Sequence, residues 1–296
     1  MRYPDPVNLP FNGEIIRSRF TQKKPGELAE SDAGYWVLLQ GESLLLVQAA
    51  LYRGEIPIAL LPESRPLLFG EWDGEPVRVC TVPDGLALPH PFQAVPWTEL
   101  PDDLLTMYGL ARQIVYWEKQ SRHCSRCGGA MDRVLSSWGK RCSSCGHEHY
   151  PHIHPCAIVL IMRGEEFLLA RKPEWAPGRY SLVAGFVDFG ESLEECVLRE
   201  VLEETGVRVN NLRYVGSQNW PFPSQLMAGF VADYESGSIV VDRTELEDAR
   251  WFSREDLPAT LPPRRSIARW IIDRFALGDE PVTPPAGDAP PAVKGA

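Results

Sequence analysis

The sequence of 296 residues lacks two features that would assign it to common classes of protein. No apolar run approaches the roughly 20 residues that a membrane-spanning helix needs, so a membrane protein is not expected. Positive charge is scarce, because 30 Lys and Arg residues are outnumbered by 40 Asp and Glu residues, for a formal net charge of −10. This balance offers no broad footprint for duplex nucleic acid, but it allows recognition of a single nucleotide in a pocket.

The amino terminus also lacks an expected signal. Its first 14 residues, MRYPDPVNLPFNGE, contain no apolar core of a secretion signal. The carboxyl-terminal VKGA matches no familiar targeting address. These absences favour a cytoplasmic protein, and the cysteine content supports the same expectation.

Seven cysteines are present, and four of them form the pattern C-x2-C-x14-C-x2-C. Two pairs at this spacing, each followed closely by glycine, predict a structural Zn²⁺ site without an open coordination position. The alternatives are a disulfide pair or four free thiols. Thiolate ligation and the odd cysteine total favour a reducing compartment. The predicted ligands are Cys124, Cys127, Cys142 and Cys145, and the expected core residues are Cys80, Cys156 and Cys196.

Residues 185–207, GFVDFGESLEECVLREVLEETGV, predict a helix with clear ends. Ser192 and Glu195 have the spacing of a capping box, so the helix should begin there. Gly206 is the expected left-handed stop. Apolar residues at four-residue spacing predict a buried stripe on this helix: Leu193, Val197 and Val201.

The same helix places three carboxylates on one patch, because positions three and four apart are neighbours: Glu200, Glu203 and Glu204. These carboxylates repel one another unless a cation lies among them, and hard oxygen ligands suit Mg²⁺ or Mn²⁺. Arg199 is placed to pair with a carboxylate and orient it. The alternative interpretation is a solvated acidic helix face.

This stretch resembles the Nudix box, G-x5-E-x7-R-E-U-x-E-E-x-G-U, the signature of enzymes that hydrolyse nucleoside diphosphates linked to another group. Its positions are occupied by Gly185, Glu191, Arg199, Glu200, Val201, Glu203, Glu204, Gly206 and Val207. The resemblance implies that Arg199, the three glutamates and Glu245 are catalytic, and that Glu245 completes the metal site from a loop after the sheet. The ion would neutralise diphosphate charge and lower the pKa of a bound water. Which glutamate accepts the proton stays open.

A second motif narrows the substrate. Residues 217–225, SQNWPFPSQ, resemble SQPWPFPxS of the NADH pyrophosphatase subfamily, which also has a zinc ribbon upstream. Asn219 replaces a proline of that motif, and Gln225 replaces a serine. The alternative is a proline-rich loop that packs Trp220 and Phe222 into the core, and both interpretations can hold together. The resemblance implies substrate contacts from Gln218, Asn219, Trp220, Pro221, Phe222, Pro223, Ser224 and Gln225.

The resemblance implies further substrate contacts by position. Tyr150 corresponds to an aromatic residue that stacks on adenine, and Phe186 to the ring on the opposite face. In this family the tyrosine can come from the partner subunit, which implies a homodimer. Core packing is the alternative for each ring. Contacts are also implied for Ala184, Ile267 and Ala268.

The predicted fold is α/β (α+β): a Nudix α/β/α sandwich, a zinc ribbon, and a mostly β or α+β amino-terminal domain. The expected domains are residues 1–118, 119–151 and 152–277, with a disordered tail at 278–296. Short apolar runs predict strands, as in LLLVQAALY, PIALLP and VRVCTV, and a hairpin at 163–165. Helices are expected at 102–119 and 266–277. Three tryptophans are expected in the core: Trp36, Trp72 and Trp97.

The implied reaction is hydrolysis of the pyrophosphate bond of NADH or NAD⁺ to nicotinamide mononucleotide and AMP. The family also removes NAD caps from RNA 5′ ends, so that activity is implied as well. Two alternatives remain: a Nudix hydrolase of ADP-ribose or another dinucleotide, and a non-hydrolytic NAD- or RNA-binding protein. The complete set of box glutamates argues against the non-hydrolytic alternative.

Overall fold

A computed structural model describes residues 7–24, 33–55, 60 and 66–278. These residues form two compact units. The amino-terminal unit contains residues 10–153 and 220–224, and the carboxy-terminal unit contains residues 7–9, 154–219 and 225–278. No helix among the described residues is long and apolar enough to cross a membrane.

The amino-terminal unit contains a seven-stranded sheet with the order β1-β5-β6-β2-β4-β3-β7. Its strands are β1 Phe20–Gln22, β2 Tyr35–Gln40, β3 Ser43–Val47, β4 Ala50–Arg53, β5 Leu67–Trp72, β6 Glu75–Thr81 and β7 Gln93–Pro96. Helix α1, Asp102–Gln120, covers one side of the sheet. Alternate residues of β2 belong to opposite cores, with Val37 and Leu39 packed on the α1 side.

Most sequence expectations for this unit are confirmed. The helix predicted at 102–119 ends one residue later than expected. Trp36 and Trp72 are buried, and Trp97 is partly buried against the α1-side core. The strand expected at PIALLP lies outside the described residues, apart from Leu60, which is buried.

The zinc ribbon segment contributes a separate three-stranded sheet to this unit, in the order β10-β9-β8. The strands are β8 Met131–Val134, β9 Gly139–Cys142 and β10 Glu148–His149. Because β9 ends at Cys142, the strand pairing fixes the backbone at one of the four clustered thiols.

The carboxy-terminal unit contains a sheet with the order β14-β15-β11-β12-β16, and β13 also pairs with β11. Its elements are β11 His154–Arg163, β12 Glu166–Arg171, β13 Val183–Phe186, α2 Leu193–Thr205, β14 Arg208–Trp220, β15 Gln225–Ser236, β16 Asp248–Phe252 and α3 Ile267–Ile271. A π-helical turn, Ile272–Ala276, continues α3, so the helix expected at 266–277 is present with a changed last turn. The hairpin expected at 163–165 joins β11 and β12.

Helices cover both faces of this sheet. Along β11, Ala157, Val159 and Ile161 pack in the core that contains α2. Ile158 and Leu160 pack in the core that contains α3. This two-residue alternation is what a strand covered on both faces requires. The predicted α/β/α sandwich is therefore confirmed, whereas the domain boundaries stay a prediction, and the tail lies outside the described residues except for Gly278.

Candidate active site

Helix α2 carries the box glutamates, and local signals set its ends. The Ser192 hydroxyl accepts a hydrogen bond from the Glu195 amide at 3.2 Å, and the Glu195 carboxylate accepts one from the Ser192 amide at 2.7 Å. Gly206 ends the helix with φ 72°, a left-handed conformation that favours glycine. The predicted capping box and stop are thus confirmed. The two ends fix the bounds of α2, and hence which of its side chains lie on the face opposite the buried stripe.

Arg199 holds the carboxylates in place. Its guanidinium contacts Glu191 at 2.5 Å, Glu200 at 2.8 Å and Glu203 at 3.1 Å. It also donates a second hydrogen bond to Glu191 at 2.9 Å and one to the Phe186 carbonyl at 2.9 Å. The Arg199 contacts hold the pKa of Glu191 at about 2. Since a guanidinium has five N–H donors, these contacts use its full capacity.

Gly185 in β13 makes room for the carboxylate of Glu200. A Cβ atom at this position would lie 1.9 Å from the Glu200 Cδ, far inside van der Waals contact. The first glycine of the box is therefore needed for close approach of a strand to a carboxylate. Burial raises the pKa of Glu200, and Arg199 opposes that effect.

Glu204 is the most buried of the three carboxylates, with 3% of the residue exposed. Its Oε1 atom has no hydrogen-bond partner within the part of the chain that the structure describes. Burial raises the pKa of Glu204 to about 8, with further increases from Glu200 and Glu245. A buried, unpartnered anionic oxygen among other carboxylates is costly without a cation. The residues present therefore fit a divalent ion such as Mg²⁺ or Mn²⁺.

A loop between β15 and β16 brings Glu245 to these carboxylates. The Asp242 amide donates to the Glu204 carbonyl at 3.0 Å, and the Glu247 amide donates to the Arg171 carbonyl at 2.9 Å. Buried Leu246 anchors the loop between those two bonds. Glu247 forms an ion pair with Arg171, so Glu245 is the acidic residue of this loop that acts on Glu200 and Glu204.

The four ribbon cysteines lie together as predicted. Their Sγ atoms are within 4.8 Å of one another, and all seven cysteines of the chain are free. Hydrogen bonds from the backbone amides of Cys145 and Ser144 lower the pKa of Cys142, which suits a thiolate ligand. A disulfide pair is therefore wrong, and the donor set fits tetrahedral Zn²⁺. Cys80, Cys156 and Cys196 are buried, as expected.

The SQNWPFPSQ segment is divided between the two units. Gln218 is fully buried in the carboxy-terminal unit, where its amide donates to the Arg265 carbonyl at 2.8 Å and accepts from the Ile267 amide at 2.7 Å. Trp220 and Phe222 pack against Phe11 in the amino-terminal unit, with ring centroids 5.6 Å apart in each pair. The core-packing interpretation holds for these two rings, and their substrate contact stays a prediction.

The remaining loop residues and the two predicted stacking rings have different surroundings. Pro221 lies against Gly109 of α1, and Ser224 is buried. Tyr150 is 49% exposed, and Phe186 is 52% exposed. Exposure of this size does not fit a ring that merely fills a core. The Tyr150 hydroxyl donates to Glu148 at 2.7 Å.

The other predicted contact residues belong to the carboxy-terminal unit. Ile267 and Ala268 are buried in the core on the α3 side, and Ala184 packs against the same core. Asn219 lies at the end of β14, and Gln225 begins β15. Their contacts with substrate stay predictions.

Sequence reasoning missed one cation near the glutamates, Lys172. Its positive charge lowers the pKa of Glu204 and so opposes the effect of the neighbouring carboxylates. The alternation in β12 could have revealed it, because Leu168 and Ala170 pack on the α2 side and Lys172 continues their row.

Comparisons with known proteins agree with this geometry. Residues 152–274 match the NUDIX domain, residues 119–150 the NADH pyrophosphatase zinc ribbon domain, and residues 33–117 the NADH pyrophosphatase-like rudimentary NUDIX domain. The NAD-capped RNA hydrolase NudC of Pseudomonas aeruginosa is 44% identical over 278 residues, which cover 88% of this chain and 96% of that protein. The chain belongs to the NudC family of Nudix hydrolases.

Two further relatives with the same name support the family assignment. NudC of Stutzerimonas stutzeri is 42% identical over 87% of this chain and 96% of that protein. NudC of Escherichia coli O1:K1 / APEC is 39% identical over 82% of this chain and 93% of that protein. The zinc prediction is confirmed by the ribbon match together with the four clustered thiols. As a NudC-family Nudix hydrolase, the protein uses Mg²⁺ or Mn²⁺ for catalysis.

Proposed function

We propose that this NudC-family enzyme hydrolyses the pyrophosphate bond of NADH and NAD⁺ to nicotinamide mononucleotide and AMP. We further propose that it removes NAD from the 5′ end of NAD-capped RNA, as the names of its relatives state for those proteins. The observation that carries the proposal is the carboxylate of Glu204, which is buried beside Glu200 and Glu245 and whose Oε1 atom has no hydrogen-bond partner among the described residues.

The carboxylates have separable tasks in this reaction. Glu200, Glu203 and Glu204 would hold Mg²⁺ or Mn²⁺ from α2, and Glu245 would hold it from the loop. The bound ion supplies positive charge for the diphosphate and lowers the pKa of a water. Arg199 keeps Glu200 in place through a charge-assisted hydrogen bond. One of the carboxylates accepts the proton of the attacking water.

Recognition of the base is assigned to the two exposed rings. We infer that Phe186 stacks on one face of adenine and that Tyr150 of the partner subunit stacks on the other, so the enzyme acts as a homodimer. Half-exposed rings supply flat surfaces, and stacking one base on an aromatic ring contributes about 1–3 kcal/mol. The cytoplasm is the proposed compartment, because four ligand thiolates must stay reduced.

Mixing two variants of reduced activity tests the shared site. Tyr150→Ala subunits keep Glu204, and Glu204→Gln subunits keep Tyr150. If the tyrosine comes from the partner, mixed dimers contain one complete site and regain up to half of the wild-type activity per dimer. No recovery, with mixed dimers verified by mass spectrometry, would contradict a partner-supplied tyrosine.

Product analysis tests the reaction itself. Incubation of NAD⁺ with enzyme and Mn²⁺ should give nicotinamide mononucleotide and AMP, separable by chromatography. Nicotinamide and ADP-ribose as products would instead show cleavage of the glycosidic bond and would refute the proposal.

A further inference from the structure

The diphosphate of the substrate needs a cationic partner that the known box residues do not supply. Arg199 is the arginine of the box, but all of its donors are used. Its Nε and one terminal nitrogen bind Glu191, the other terminal nitrogen binds Glu200 and Glu203, and the Phe186 carbonyl takes the remaining donor. Arg199 therefore positions carboxylates and has no donor left for a phosphate oxygen.

Lys172 lies where such a partner is needed. It directly follows β12, and the Arg171 carbonyl before it accepts the Glu247 amide at 2.9 Å. The other end of the same loop is bonded to the Glu204 carbonyl through the Asp242 amide at 3.0 Å. The loop that carries Glu245 is thus attached both to the end of β12 and to the last turn of α2, and Lys172 lies beside it.

Lys172 also lies on the side of the sheet that α2 and its glutamates cover. Leu168 and Ala170 of β12 pack in the core that contains α2, whereas Phe167 and Leu169 pack in the core that contains α3. Two-residue periodicity therefore places Lys172 on the α2 side. By the same alternation Arg171 belongs to the other side of the strand. Its guanidinium donates hydrogen bonds to the Trp175 and Ala176 carbonyls.

The ammonium group of Lys172 is available to a ligand. Its positive charge lowers the pKa of Glu204, so the ammonium group lies within electrostatic reach of the carboxylate cluster. Within the part of the chain that the structure describes, however, Lys172 makes no ion pair or side-chain hydrogen bond. The side chain is only partly exposed. A partly desolvated cation near a carboxylate cluster, without a committed partner, suits an anionic ligand that arrives with the metal.

We propose that Lys172 donates a hydrogen bond to a non-bridging oxygen of the substrate diphosphate and is a further substrate-binding residue of this reaction. This role deepens the proposed function and rests on hydrolysis of a dinucleotide. It predicts no preference among dinucleotides, because the diphosphate is common to NADH and ADP-ribose.

Equilibrium binding tests the role apart from turnover. The probe is an NAD analogue with a methylene-bridged diphosphate, titrated by calorimetry in saturating Mn²⁺. Lys172→Met should raise its Kd roughly 10- to 150-fold, the value of a hydrogen bond to a charged group. Lys172→Arg should restore most of the affinity. Arg208→Met, which removes an exposed cation of the same unit, should leave the Kd unchanged.

A second measurement separates substrate contact from support of the glutamates. Mn²⁺ affinity without nucleotide should be unchanged or tighter in Lys172→Met, because a positive charge near the ion has been removed. Lys172→Gln gives the same comparison if the methionine variant does not fold. Wild-type affinity for the analogue, or weaker Mn²⁺ binding that accounts for the whole loss, would overturn the role.

A comparison of NADH with ADP-ribose as substrates distinguishes the role of Lys172 from the proposed function. Lys172→Met should lower kcat/KM for NADH and for ADP-ribose by similar factors. A wild-type enzyme that hydrolyses ADP-ribose but not NADH would refute the proposed function and leave the Lys172 comparison intact. A loss confined to one of the two substrates would overturn the diphosphate contact.

Discussion

Replacing Glu204 by glutamine should stabilise the fold and destroy the activity at the same time. Burial raises the pKa of Glu204 from the ordinary value of 4.5 to about 8. The pKa of Glu204 in the folded state lies above its value in the unfolded state. The contribution of Glu204 to the free energy of unfolding is therefore fully present below about pH 4.5 and is lost as the pH rises through 8. At 1.36 kcal/mol for each pH unit of displacement, the cost at pH 8 is roughly 4 kcal/mol.

Glutamine has the same shape and never ionises, so Glu204→Gln should remove most of this cost. In buffer without Mg²⁺ or Mn²⁺, the variant should be more stable than wild type by roughly 2–4 kcal/mol at pH 8. The difference should shrink to about 1 kcal/mol or less at pH 5. Urea unfolding followed by tryptophan fluorescence measures it, with zinc content verified because chelators would also remove the ribbon ion.

The activity of Glu204→Gln should fall, although its stability rises. Loss of one anionic ligand without loss of volume should lower Mn²⁺-dependent kcat by more than about tenfold, or 1.4 kcal/mol. Glu235→Gln, which changes an exposed carboxylate at the end of β15, should alter neither property. A variant that is less stable than wild type at pH 8, or that keeps more than a tenth of the activity, would refute the buried-ligand assignment.

Substitutions at four further residues test the glycine of the box, the zinc site and the stacking rings. Gly185→Ala should lower kcat/KM by at least about tenfold, since its Cβ would displace a metal-site carboxylate. Gly13→Ala is the control and should be neutral in the same assay, because nothing lies within 4 Å of the added atom. Cys142→Ser should reduce zinc below the expected one ion per chain and lower the melting temperature; full zinc content would contradict the ribbon assignment. Alanine at Tyr150 or Phe186 should lower kcat/KM for NADH by roughly 5- to 150-fold, whereas other aromatic residues at these positions should be tolerated. An alanine variant that is destabilised but has unchanged kinetics would reject stacking.

The sequence predicted the parts of the site that local rules determine. Helix α2 begins and ends where its capping box and Gly206 indicate, because those signals lie within one turn of the helix ends. The four cysteines lie together because the pattern of a zinc knuckle is local as well. The two-sided core of β11 follows from its continuous apolar run.

Long-range contacts escaped prediction. The side-chain amide of Gln218 binds backbone groups at Arg265 and Ile267, nearly fifty residues away, and no short motif encodes that pairing. Trp220 and Phe222 contact Phe11, which lies more than two hundred residues earlier in the sequence. Lys172 became visible only when the β12 alternation was combined with the hydrogen bonds of the Glu245 loop.

The central claim, that this enzyme cleaves the diphosphate of nicotinamide dinucleotides, is tested most directly by a comparison of substrates. Values of kcat/KM should be measured side by side for NADH, NAD⁺, ADP-ribose and NAD-capped RNA, with Mn²⁺ present and with Mn²⁺ omitted. The account predicts Mn²⁺-dependent hydrolysis in which a nicotinamide-containing substrate exceeds ADP-ribose by at least about tenfold, or 1.4 kcal/mol of transition-state stabilisation. A preference for ADP-ribose, or turnover that does not require the ion, would contradict it.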